Sequence, residues 1–211
     1  MKRKNRRMPD YYIKNIAVNA TRRAAKRVQA RQDVVGDNRE ATGDVVVLCL
    51  LAALYDKLGV GKERLQRVVS RANELADVFA GDLRVSGAAV ARKRLAERSA
   101  NVLPGGFVLP ACRMPKNTDA AEILSERRDA AEIVVRVYAC AMRDALKLGP
   151  ARVEVVTAET AENYRQFFAD AEQGDGYGYE LLRKKMEQIM GEEVQIKQEP
   201  GKAPVFSDRF F

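Results

Sequence analysis

Apolar residues recur along most of the 211-residue chain at helical intervals, and strict alternation is confined to short pieces. From 45 to 58 they fall almost all round, the pattern of a central helix buried on every side. A second helix opens near Lys62, where Leu65, Val68, Val69, Ala72, Leu75, Ala76 and Phe79 follow the i, i+3, i+4, i+7 rule. The stretch "NVLPGGFVLPACRMPKNT" at 101–118 holds three prolines and two glycines and marks a linker or extended crossover. Beyond it, Asp119 is placed to cap a long helix running to about Leu148, and 179–190 form the last strong helical pattern. Residues 11–31 set Ile13, Ala17, Ala20, Ala24 and Val28 on one side of a further helix and the arginine pairs on the other. Strand propensity is limited to 151–157 and 193–197, either local pairs or helix ends.

Laid over itself at an offset of 88, the chain matches over about 25 residues, 46–69 against 134–157. Asp56 meets Asp144, Leu58 meets Leu146, Gly61 meets Gly149 and Arg64 meets Arg152; further on, Glu74, Phe79 and Asp82 meet Glu162, Phe167 and Asp170. Each copy reads as helix, short turn, helix. The expected fold is therefore mainly α, with two related helix-turn-helix units and a basic N-terminal helix or arm. The expected divisions are the basic arm at 1–40, the first unit at 41–100, the linker at 101–118, the second unit at 119–199 and a C-terminal tail at 200–211. The tail ends in aromatic residues, which suit a docking peptide, a fold-back onto the core or a frayed terminus.

Charge is distributed unevenly. Residues 1–31 carry eleven basic side chains against Asp10 alone, or +10, which leaves about −2 for the rest of a chain of formal net charge +8. Such an arm suits an anionic partner; the alternatives are a solvated, disordered start or an organellar transit peptide. It has no h-region of a secretory signal, and Asn19-Ala20-Thr21, a glycosylation pattern, means little without one. The longest apolar run, 45–55, is far below the roughly 20 residues that cross a bilayer.

Histidine is absent, which removes the commonest general base and metal ligand and every triad built on it. Cys49, Cys112 and Cys140 are far apart and form no CxxC pair, so neither a disulfide framework nor a zinc site is expected. In "DAEQGDGYGYE" at 170–180, Asp175 occupies the place where a calcium loop needs glycine. The segment "GDNREATGD" at 36–44 lacks the GK[ST] ending of a P-loop and reads as a linker with Asp44 as an N-cap. No carboxylate pair has a spacing that points to acid–base catalysis. The expectation is a protein that is not an enzyme, with no cofactor, no metal and no membrane segment.

The stretch "LGVGKERL" at 58–65 resembles the helix-hairpin-helix motif, a Gly-hydrophobic-Gly turn between two helices. That resemblance implies that the turn and the start of the second helix offer backbone N–H groups to a DNA phosphate without reading sequence. Gly59 and Gly61 would form the turn, Lys62 would stand beside the phosphate, and Arg64, Arg67 and Arg71 would extend the contact. The plainer alternative is that the two glycines only end one helix and begin the next. In the second copy, Lys147 replaces the first glycine and Glu154, Glu159 and Glu162 replace the basic stripe, so that copy is expected to pack, dimerise or meet a protein.

The expected function is non-enzymatic, largely sequence-independent nucleic-acid binding. The arm contributes Lys2, Arg3, Lys4, Arg6, Arg7, Arg22, Arg23, Lys26 and Arg27, and the hairpin positions the duplex. The overall pattern is also similar to small phage and mobile-element proteins with "GxGxxRL" helix pairs. This implies an alternative: a cytoplasmic inhibitor in a bacterial host, of the anti-CRISPR class, that binds an RNA-guided CRISPR nuclease. A helical scaffold or homodimer is the third reading.

Overall fold

The computed structural model describes residues 39–112, 115–172 and 176–194, together with two short strands at 196–197 and 205–206. Internal contacts divide the chain at 37/38, and the account below concerns the second unit. The expected helix at 11–31, the nine basic site residues between Lys2 and Arg27, and most of the 200–211 tail lie outside the described residues.

Among the described residues, six helices make up the fold: α1 (39–58), α2 (Lys62–Ser86), α3 (Ala88–Ser99), α4 (Thr118–Leu146), α5 (Pro150–Ala171) and α6 (Tyr177–Met190). After them, β1 (Ile196–Lys197) pairs antiparallel with β2 (Val205–Phe206), Ile196 opposite Phe206. The mainly α expectation holds. Among the described residues, no helix is long and apolar enough to cross a membrane.

Several boundaries differ from the sequence reading. Asp44 does not cap α1 but lies inside it, because 39–44 are already helical. There Thr42 is buried and Arg39 forms an ion pair with Glu126 of α4 at 3.2 Å, so tertiary packing overrides a turn-prone sequence. The cap of α4 is Asn117, whose side-chain oxygen accepts the Ala120 N–H at 2.8 Å; Asp119 sits in the first turn, where the helix dipole favours its charge. Residues 151–157, marked by strand propensity, belong to α5: Pro150 at its first turn pre-sets the backbone, and Val153 and Val156 share its buried face. The helix α3 was not separated from α2 in the pattern; Gly87, at φ +79, makes the break.

The core is built around α1 and α4. Every residue from 45 to 54 is buried, and so is the C-terminal half of α4 from 137 to 142. The buried face of α2 is Leu65, Val68, Val69, Ala72 and Leu75, as the pattern predicts, but Ala76 is exposed and Phe79 only half-buried. Beyond Leu75, α2 meets the core only in part, through the half-buried Phe79.

The two hairpins exchange partners. Helix α2 packs chiefly on α4, α3 lies against both, α6 packs on α5, and α4 and α5 touch little. Helix α5 meets α1 instead: the Asn163 side chain donates to the Cys49 carbonyl at 3.1 Å, and Lys57 pairs with Glu159 at 3.0 Å. Helix α6 also meets the end of α1, with Lys185 donating to Asp56 at 2.7 Å. On α5, Phe167 stands edge-on to Tyr179 of α6 at 5.0 Å.

Candidate nucleic-acid interface

At the end of α1 the chain enters a left-handed cap. Gly59 has φ +60 and its N–H donates to the Tyr55 carbonyl at 2.9 Å, while Val60 donates to Leu54 at 3.3 Å. The Val60 side chain is buried and anchors the turn. Gly61 follows with extended backbone (φ −76, ψ 173), and its carbonyl accepts from Arg64 and Leu65, which starts α2. No side chain caps this helix, so the amides of Lys62 and Glu63 precede its first internal bond without a protein acceptor supplied by Gly61. Gly59 and Gly61 are exposed, and an added Cβ at either would meet nothing within 4 Å.

The second turn has the same backbone. Lys147 takes the left-handed conformation (φ 58, ψ 34), its N–H donates to Arg143, and Leu148 donates to Met142. Gly149 (φ −84, ψ 172) then accepts from Arg152 and Val153. Each of these bonds lies 88 residues after its counterpart in the first turn. The donors differ: Pro150 has no N–H, so the start of α5 offers one fewer than the start of α2.

The cations expected at the first turn fall into three groups. Arg64 and Arg67 are exposed and, among the described residues, form no ion pair. Lys62 pairs with Glu192 at 3.3 Å, but both side chains are exposed, and a surface pair of this kind is worth only about 0–1 kcal/mol. Arg71 is committed to the fold. Its Nε and Nη2 donate to Asp144 of α4 at 3.0 and 2.9 Å, and its Nη1 donates to Glu74 at 2.6 Å.

Glu74 and Asp144 hold the Arg71 guanidinium more firmly protonated than usual. At Asp144, burial pushes the carboxyl up, but hydrogen bonds from Arg71 and Arg143 outweigh it and keep the group below the ordinary carboxylate range. Arg71 therefore joins α2 to α4.

At the second turn, Lys147 and Arg152 are exposed and, among the described residues, unpaired. The acids that replace the basic stripe are partly neutralised, Glu159 by Lys57 and Glu162 by Arg165. Sequence reading passed over these two cations, because the row of glutamates dominates the local pattern. The matching offset, which lays Lys147 on Gly59 and Arg152 on Arg64, was the available signal.

Among the described residues, no group of three or more acidic or cysteine side chains is gathered for a metal. Cys49 and Cys140 are buried and Cys112 half-buried, with burial raising all three thiols. None has the electropositive, depressed character of a reactive nucleophile. No protein family, no curated protein and no solved structure matches this chain.

Proposed function

We propose that this is a non-enzymatic nucleic-acid-binding protein that contacts duplex phosphates through the turn at 59–61 and the start of α2, with the basic arm adding affinity. The observation that carries the reading is the pairing of an uncapped helix start with exposed Arg64 and Arg67, which no acid neutralises among the described residues. Unpaired amides and the positive end of the helix dipole attract an anion, and the two guanidiniums one turn apart follow the backbone without reading bases.

Fluorescence anisotropy of a labelled random-sequence duplex between about 50 and 200 mM salt tests this. Replacing Arg64 and Arg67 by Glu in one protein removes two phosphate contacts and flattens the slope of log affinity against log salt by about two units. Replacing Glu154 by Lys leaves binding equal or tighter. A double reversal with an unchanged slope refutes the role of the turn.

A second reading, binding to a partner protein as in the inhibitor class, is favoured by one observation. Where α2 turns into α3, Leu83, Val85 and Val90 are exposed, Val85 at 87%. Exposed apolar side chains grouped at one tip suit a protein contact better than a phosphate backbone. Binding to a nuclease with an unchanged affinity after Arg64 and Arg67 reversal would favour this reading.

A further inference from the structure

A groove of about 420 Å³ lies between α1, α2 and α4, away from the turn at 59–61. Its walls are mostly apolar, among them Val47, Phe79, Ile133 and Val137, and its lining also includes Asp44, Glu40 and Tyr138. The volume is that of a small-molecule site, mostly apolar with a few convergent polar groups.

Its carboxyls are unlike others of the fold. Asp56, Glu126, Asp129, Asp144 and Glu159 each take a cationic partner. Asp44 and Glu40, one helical turn apart on α1, accept no hydrogen bond or ion pair among the described residues. The nearest cation on the lining, Arg39, is engaged by Glu126.

Burial, and then the charge of Glu40, push Asp44 up to about 6. From α4, Tyr138 feels its charge, as does Tyr179 from α6; the polar side chain that α2 contributes to the lining is the uncharged Asn73. A half-buried carboxylate without a partner is costly, and a like charge beside it adds to the cost.

The occupant that relieves both is a cation with an apolar body. An anion would meet two acids, and a neutral molecule would leave Asp44 unpaired. We propose that the α1–α2–α4 groove binds a small organic cation, a primary ammonium on an aliphatic chain, with Asp44 and Glu40 holding the ammonium and Phe79, Ile133 and Val137 covering the chain. Phe79 and Tyr138 are also on the lining, and an ammonium is attracted to the face of an aromatic ring.

The test is titration of the full chain with hexylammonium, hexan-1-ol and hexanoate, followed by calorimetry and by the methyl NMR signals of Ile133 and Val137. At about pH 7.5, hexylammonium shifts these methyls and binds at least about tenfold more tightly than the alcohol, while hexanoate does not bind. At about pH 5, its affinity falls roughly tenfold, because a carboxyl titrating at about 6 is then about nine-tenths protonated.

Asp44→Asn removes the preference for amine over alcohol. Ala76→Leu, which fills the groove from α2 without touching either acid, abolishes binding of both. Equal binding of amine and alcohol by the native chain overturns the proposal, as does an absence of methyl shifts at millimolar hexylammonium. Should Asp44→Asn fail to fold, the amine-to-alcohol comparison in the native chain decides alone.

Discussion

Exchanging the residues at the two left-handed caps, Gly59→Lys and Lys147→Gly, is expected to change stability in opposite directions by nearly equal amounts. Both positions have the same backbone, φ 60 at Gly59 and φ 58 at Lys147, and both donate to the carbonyl four residues back. A side chain in this region costs about 1–2 kcal/mol through the clash of Cβ with the following carbonyl. Glycine avoids that cost but gives up about 0.5–1 kcal/mol of extra backbone entropy on folding. The net advantage of glycine is then roughly 0.5–1 kcal/mol at either site.

Side-chain contacts do not blur the comparison. A Cβ added at Gly59 would meet nothing within 4 Å, and Lys147 is exposed, with no ion pair among the described residues. Urea denaturation followed by circular dichroism measures the change as a shift in midpoint at constant slope. Lys147→Gly raises the midpoint, Gly59→Lys lowers it, and the double exchange returns close to the native value. At this chain length each change also moves Tm by roughly 2–4 °C per kcal/mol. A destabilising Lys147→Gly, or a neutral Gly59→Lys, would refute the argument that backbone strain alone separates the two turns.

Two further outcomes follow from the charge contacts. Arg71→Ala lowers the denaturation midpoint because it removes the hydrogen bonds that join α2 to Asp144, whereas Arg64→Ala and Arg67→Ala leave it unchanged; a midpoint common to all three variants would contradict the structural assignment of Arg71. Asp44 has a folded pKa of about 6 against an ordinary 3.8, so its contribution to stability is fully present below about pH 3.8 and is lost as pH rises through about 6. Asp44→Asn therefore stabilises the chain above pH 6, by about 1–2 kcal/mol once solvent screening of a part-exposed carboxyl is allowed for, and the gain vanishes in acid. Melting curves at both ends of this range check it, and a gain independent of pH would show that the carboxyl is not desolvated.

The strongly periodic segments were legible. An apolar run without a polar face predicts the buried α1, and the heptad-like spacing from Leu65 to Leu75 predicts the face of α2. The glycine turn was legible too, since few residues other than glycine hold φ near +60. Lys147 was not, because a lysine in that conformation contradicts its own propensity and is held there by the cap bonds from Lys147 to Arg143 and from the buried Leu148 to Met142.

Nor was the fate of Arg71. On the helix it continues the exposed stripe of Arg64 and Arg67, and only the fold brings Asp144, 73 residues away in sequence, to its side. Asp44 was misplaced for a related reason: a glycine and an acid at 43–44 resemble a helix start, and the contacts of α1 with α4 that prolong the helix through them are long-range. Local chemistry names residue types and faces, and pairing across the core decides which of them remain available to a ligand.

The exchange of partners between the hairpins bears on how the polypeptide responds to being cut. A single break among residues 104–111, which include the exposed Pro104, Gly105 and Val108, severs the connection between α3 and α4 and none of the helices. Helix α2 would remain seated on α4, and α5 on α1, so the nicked molecule holds together and melts as one body. The same two pieces synthesised apart would each carry a bare apolar helix, 45–54 in one and 137–142 in the other, and aggregate alone. Made together they would assemble into the folded whole, which makes this a natural place at which to divide the chain into a complementing pair.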